Sequence, residues 1–117
     1  MPKVVDGSFI KMLNGATATQ YSPVFDCIDE VSFQLTGTTS SGGGAATASI
    51  EVSNDGTNWL PSALGTLSLT LSTVASSDGF VANTKFLYMR ANLSAISGTG
   101  ASVTLIAAGK NVVITGE

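Results

Sequence analysis

In the clearest segments of this chain the apolar residues recur at every second position. Val31, Phe33 and Leu35 alternate with Ser32, Gln34 and Thr36, and Leu67, Leu69 and Leu71 alternate with Ser68, Thr70 and Ser72. A two-residue period puts one set of side chains on each face of an extended strand; a helical face would need spacings of three and four. Both segments are therefore predicted as half-buried strands. Ala46–Ser53 reads the same way, with Ile50 and Val52 set against Glu51 and Ser53. In 86–93, Leu87, Met89, Ala91 and Leu93 oppose Phe86, Tyr88 and Arg90, which predicts a central strand. Val103–Ala107 is a last core strand, broken by Gly109. Phe80-Val81-Ala82 is a brief one. Trp59-Leu60 opens another short strand, which Pro61 confines to an edge or an end because proline has no N–H to pair.

The breaks between these segments carry turn chemistry. Asn54-Asp55-Gly56 supplies the positive φ of a tight turn, and Trp59 is the large apolar anchor that follows it. Ser76-Ser77-Asp78-Gly79 and Ser97-Gly98-Thr99-Gly100 predict two further turns, and Ser40-Ser41-Gly42-Gly43-Gly44 a flexible loop. Toward the N-terminus Val4, Val5, Phe9, Ile10, Met12 and Leu13 are punctuated by Gly7, Asn14 and Gly15. Residues 1–20 are thus expected to be an arm or one short strand. Ser22-Pro23 marks an extended or turning backbone. Val112, Val113 and Ile114 make a final strand or belong to a tail over 109–117. The sum is an all-β chain of seven to nine short strands, expected to form a single antiparallel β-sandwich of jelly-roll type across residues 1–117. No repeat of solenoid length is present.

Composition narrows the function. The chain has 117 residues, enough for one core. Charged residues are 11% of it, well under the usual share of about 25%. The five cations, Lys3, Lys11, Lys85, Arg90 and Lys110, form no cluster, and the net charge is −3, which argues against nucleic acid as a partner. So little charge suits close self-association or docking on a large surface. Cys27 is the single cysteine and there is no histidine, so neither an intrachain disulfide nor a zinc site is expected. Cys27 reads as a small buried apolar residue. The first residues lack a signal-peptide layout, and no apolar run reaches membrane-spanning length. The expectation is a protein made in a cytosol, with no membrane partner.

The residues that carry chemistry are few. Without histidine a Ser-His catalytic pair is excluded. Ser41-Gly42-Gly43-Gly44 lacks the Gly-Lys-Ser/Thr of a phosphate loop. Most of the eight acids lie beside turns or at strand ends, where Asp bonds local backbone; Glu51 alone sits mid-strand, on what reads as the wet face. Asp26, Asp29 and Glu30 do not have EF-hand spacing. No catalytic residue, cofactor or metal is expected. Trp59, Tyr21 and Tyr88 have two readings. They stack on sugar rings, or else Trp59 packs beneath the turn it follows and Tyr88 sits at a sheet edge with its hydroxyl wet.

The turn Ser53-Asn54-Asp55-Gly56-Thr57-Asn58-Trp59 resembles the "SNDGTNW" signature of small β-sandwich virion proteins of tailed bacteriophages. Phe86-Leu87-Tyr88-Met89-Arg90-Ala91-Asn92-Leu93 resembles their "kYiRv.l" strand, and 97–105 their "sGtgatvt" hairpin. Ser22-Pro23-Val24-Phe25-Asp26 is similar to their "spafdl" lead-in. A Ser-x-Asp-Gly-x-x-Trp turn also occurs in longer, galactose-binding-type sandwiches. The phage resemblance spans residues 20 to 108. It implies a virion structural protein, foremost a capsid decoration or cement protein that binds the major capsid protein and copies of itself as a homotrimer. The alternative is a carbohydrate- or receptor-binding module of a tail or fibre. Under the first reading the protein sits on the capsid surface. Val4, Val5, Phe9, Ile10, Val112, Val113 and Ile114 are its candidate subunit or capsid contacts.

Overall fold

Alternation along the chain becomes two layers in space. The computed structural model describes residues 8–27 and 29–109, and every regular element among them is a strand. In chain order these are β1 (Ser8–Ala16), β2 (Gln20–Tyr21), β3 (Phe25–Asp26), β4 (Glu30–Thr38), β5 (Ser41–Ser53), β6 (Leu60–Leu71), β7 (Ser76–Asn83), β8 (Tyr88–Thr99) and β9 (Ser102–Gly109). One sheet has the order β1-β9-β4-β7 and the other β2-β8-β5-β6, with β3 also on β8; every pairing is antiparallel.

Strands β2 and β3 are one strand interrupted at Pro23. Tyr21 pairs with Asn92 and Phe25 with Met89, and between them the Ser22 amide donates to the Ala91 carbonyl at 2.8 Å. Counted as one, they leave two four-stranded sheets, and the chain crosses between the layers in jelly-roll order. The expected class and architecture are therefore present.

Between the sheets lies the core. Val31, Phe33 and Leu35 of β4 and Val103, Leu105 and Ala107 of β9 face Ile50 and Val52 of β5, Leu67, Leu69 and Leu71 of β6, and Met89, Ala91 and Leu93 of β8. Each large aliphatic side chain buried here contributes about 1.5–3 kcal/mol. The clean two-period of β4 and of Leu67–Leu71 is thus read correctly from sequence.

Several expectations are corrected. Gly42–Gly44 is not a flexible loop: it is the first part of β5, paired with β6 and β8. Glycine is required there because a Cβ on Gly44 would collide with the Ser97 carbonyl oxygen on β8. Ser76–Gly79 is not a turn but the start of β7; the reversal falls at 72–75. Asp78, read as a turn residue, reaches to the other sheet and accepts the Ser68 amide of β6 at 3.0 Å. Beside it Ser76 Oγ donates to the Thr70 carbonyl at 3.0 Å, and these bonds occupy backbone groups of the β6 edge. Trp59-Leu60 does not open a separate short strand. Leu60 begins the twelve-residue β6, which is an edge strand and carries an irregularity next to Pro61, with Ser62 at φ 54°. Of the two expectations for the N-terminal segment, an arm or one short strand, the strand is present from Ser8 to Ala16: it is an edge strand paired with β9 and sends Met12, Leu13 and Ala16 into the core. Val4, Val5, Val112, Val113 and Ile114 lie outside the described residues. Tyr88 is not at a sheet edge, because β8 runs between β2 and β5. Leu87 precedes β8 and is exposed, so it does not share the buried face of Met89.

Candidate functional site: the outer face of the five-stranded sheet

On the outer face of this sheet Glu51 of β5 stands directly opposite Arg90 of β8. Arg90 Nε donates to Glu51 Oε1 at 2.8 Å, and Asn92 Nδ2 donates to Glu51 Oε2 at 3.2 Å. Both carboxylate oxygens are thereby occupied, and Glu51 is only 4% exposed. This overturns the wet-face reading: mid-strand Glu51 is tolerated because a cation lies opposite it and an amide diagonally.

Two aromatic rings complete the arrangement. Tyr21 arrives on β2, on one side of β8, and the Arg90 Cζ lies 4.0 Å from its ring centroid. Trp59 arrives from the β5–β6 connection, on the other side of β5, at 4.4 Å. The guanidinium is held between them by cation–π attraction. Neither reading of Trp59 describes this. Its ring is half-buried and packs on Arg90; it is neither sealed beneath the turn nor a bare stacking platform.

The turn that delivers Trp59 is built by hydrogen bonds. Ser53 Oγ accepts the amides of Asp55 and Gly56, and donates to Asp55 Oδ1 at 2.9 Å. Asp55 Oδ1 accepts the Thr57 and Asn58 amides at 2.8 Å each, and Oδ2 accepts Asn58 Nδ2. Bonds from Asn58, then Thr57 and Ser53, hold the Asp55 carboxyl well below the usual carboxylate range. Gly56 has φ 74°, the left-handed region where glycine costs least, and lies beside the Tyr88 ring. Asn54 Oδ1 accepts the Leu87 amide at 3.1 Å, which ties the turn to the start of β8.

At the same end a shallow cavity is lined by Asp26, Cys27, Asp29, Thr84 and residues 85–88. Burial pushes the Cys27 thiol up to about 11, against a lowering hydrogen bond with Thr84 and with some help from Asp26. At neutral pH it is a thiol; it is half-buried against the core and not fully buried as expected. Asp29 pairs with Lys85 at 3.4 Å. Among the described residues no group of three or more acidic, Cys or His side chains is placed to hold a metal ion.

The four-stranded sheet has a plainer exterior. In register across it run Phe9, Ala108, Ser32 and Val81, and next to them Lys11, Ile106, Gln34 and Gly79. Phe9 and Val81 are exposed there, while Ile10, the other described contact candidate, is partly buried against the core.

Sequence reasoning found Trp59 and Tyr21 but missed Arg90, the residue that joins them. The available signal was the one mid-strand acid, which implies a mid-strand cation on a neighbouring strand.

These features define an all-β jelly-roll protein whose most organised surface is an aromatic and guanidinium cluster. No family model matches the chain, and no curated protein matches it. Among solved structures it is similar to the PBSX exported protein XepA, at 15% identity and a TM-score of 0.52 over 100% of this chain and 43% of that one. The chain thus spans less than half the length of XepA. At that identity the likeness concerns the fold.

Proposed function

We propose that this protein is a phage virion structural protein, and within that class a capsid decoration or cement protein. Its activity is binding: it buries surface against the major capsid protein, and many weakly bound copies act together across the shell. The observation that carries this reading is the resemblance of residues 53–59, 86–93 and 97–105 to small β-sandwich virion proteins of tailed bacteriophages, and the jelly-roll fold, similar over the whole of this chain to 43% of the PBSX exported protein XepA, is the fold such a protein would have. The low charge and the jelly-roll layers add support, since neighbouring copies repel one another little. The protein assembles as a homotrimer on the capsid surface.

Purified protein mixed with expanded, undecorated shells is expected to bind with saturable, stoichiometric occupancy in a sedimentation assay, and light scattering of the free full chain is expected to give a trimer mass. Shells that stay bare at saturating protein would defeat the capsid role. A glycan-binding module of a tail or fibre would use an open ring face on Tyr21, Trp59 or Tyr88. The first two each give one face to Arg90, and Tyr88 is half-buried beside Gly56.

A further inference from the structure

We infer that Arg90 is a prepared receptor for a carboxylate on a partner protein, and that the outer face of the five-stranded sheet is the docking surface. The inference rests on the reading that the protein works by binding another protein.

Three observations carry it. First, the guanidinium is immobilised before any partner arrives, its Nε held by Glu51 and its faces by Tyr21 and Trp59. Ordering a free arginine is a large part of the cost of using one in an interface, and here that cost is met within the fold. Second, Nε is the nitrogen that the fold uses. Among the described residues neither Nη makes a hydrogen bond, and the side chain keeps 23% of its surface exposed. Two Nη groups in one plane present a fork that matches the two oxygens of a carboxylate. Third, Tyr, Trp and Arg are the residue types that dominate binding energy at the centres of protein interfaces. Here all three meet at one point, and Tyr21 is 56% exposed.

Charge complementarity decides the partner. Both Glu51 oxygens already accept a hydrogen bond, from Arg90 Nε and from Asn92 Nδ2, while neither Arg90 Nη makes one among the described residues, so the unused groups of this ion pair are N–H donors. The group that fits is an Asp or Glu side chain flanked by apolar residues on a folded protein. Neutral carbonyls would accept from the Nη groups one bond at a time, whereas a carboxylate takes both in a charge-assisted pair that is roughly twice as strong, and a basic surface would leave them unpaired.

The test has two arms. In the first, the full chain is titrated with the peptide acetyl-Leu-Asp-Leu-amide and with its Asn twin. Arg90 side-chain N–H resonances are followed by NMR, and the single tryptophan, Trp59, by fluorescence. A saturable response to the Asp peptide, at least tenfold weaker with the Asn twin, is expected. Equal responses, or none to either peptide, overturn the inference. In the second arm, shells are mixed with wild type, with the double variant Glu51→Gln/Arg90→Gln, with Arg90→Lys and with Val81→Lys on the opposite face. Circular dichroism and melting check that each is folded. The double variant is expected to bind at least tenfold more weakly, Arg90→Lys to be intermediate because an ammonium has no planar fork, and Val81→Lys to match wild type. If the double variant does not fold, Arg90→Lys decides. Binding of the folded arginine variants at wild-type strength overturns the inference. A positive peptide arm with shells left bare sinks the capsid reading and leaves the carboxylate receptor standing.

Discussion

The two outer faces of the sandwich are built from similar strands and differ in what stands on them. On the four-stranded side, small and uncharged residues such as Ser32, Gln34, Thr36, Ser77 and Gly79 stand in register, with Phe9 and Val81 exposed singly. On the five-stranded side, Ser49, Glu51 and Ser53 point away from the core and are nonetheless buried. Arg90, Trp59 and Tyr21 form a third, partial layer above them. A strand that faces outward therefore need not face water. The first face carries single exposed side chains; the second holds a buried carboxylate under a partly exposed guanidinium and two rings.

The sharpest way to break this contrast is Arg90→Ala. It strands the buried Glu51 carboxylate, and we expect a loss of about 3 kcal/mol in urea unfolding. Trp59→Ala removes half-buried apolar surface and one cation–π contact, at an expected cost of about 2 kcal/mol. That is smaller than for a fully buried tryptophan, and a loss above about 4 kcal/mol would show the ring to be sealed in the core. Tyr21→Ala, on the more exposed partner ring, should cost about 1 kcal/mol.

A pH titration sharpens the picture of the turn that delivers Trp59. The folded pKa of Asp55 is depressed, so its contribution is present in full above the unfolded carboxylate value of about 4 and is lost as pH falls through the folded one. Wild-type stability should decline through this acid range more steeply than that of Asp55→Asn; parallel curves would remove Asp55 as the cause. The smallest effect belongs to the plain face. Val81→Ser should change stability by less than about 0.5 kcal/mol, and a larger loss would mean that this face too is organised.

Much of the sandwich was legible because its signal is local. The Val31–Leu35 and Leu67–Leu71 alternations and the Asn54-Asp55-Gly56 turn each depend on a few neighbouring residues; the turn expected over Ser97-Gly98-Thr99-Gly100 falls later, at Gly100 and Ala101, because β8 runs on to Thr99. Errors arose where local chemistry has two uses. Glycine in Gly42–Gly44 suits a loop, but equally a strand whose backbone is approached closely by another, and only β8 reveals which. Asp78-Gly79 suits a turn, yet Asp78 caps the amide of Ser68 in a different sheet. Glu51 looks like a wet residue until the register sets Arg90 opposite.

Taken alone, the order of residues determined that this chain forms strands, which side chains along most of them turn inward, and that no histidine chemistry operates. Those properties follow from side-chain period and residue type, which are carried within each segment. Tertiary structure decided that residues 21, 51, 59, 90 and 92 meet on one surface. They come from four separate stretches of chain, and only the pairing of β2, β8 and β5 brings a guanidinium, a carboxylate and two rings to within a few ångströms of one another.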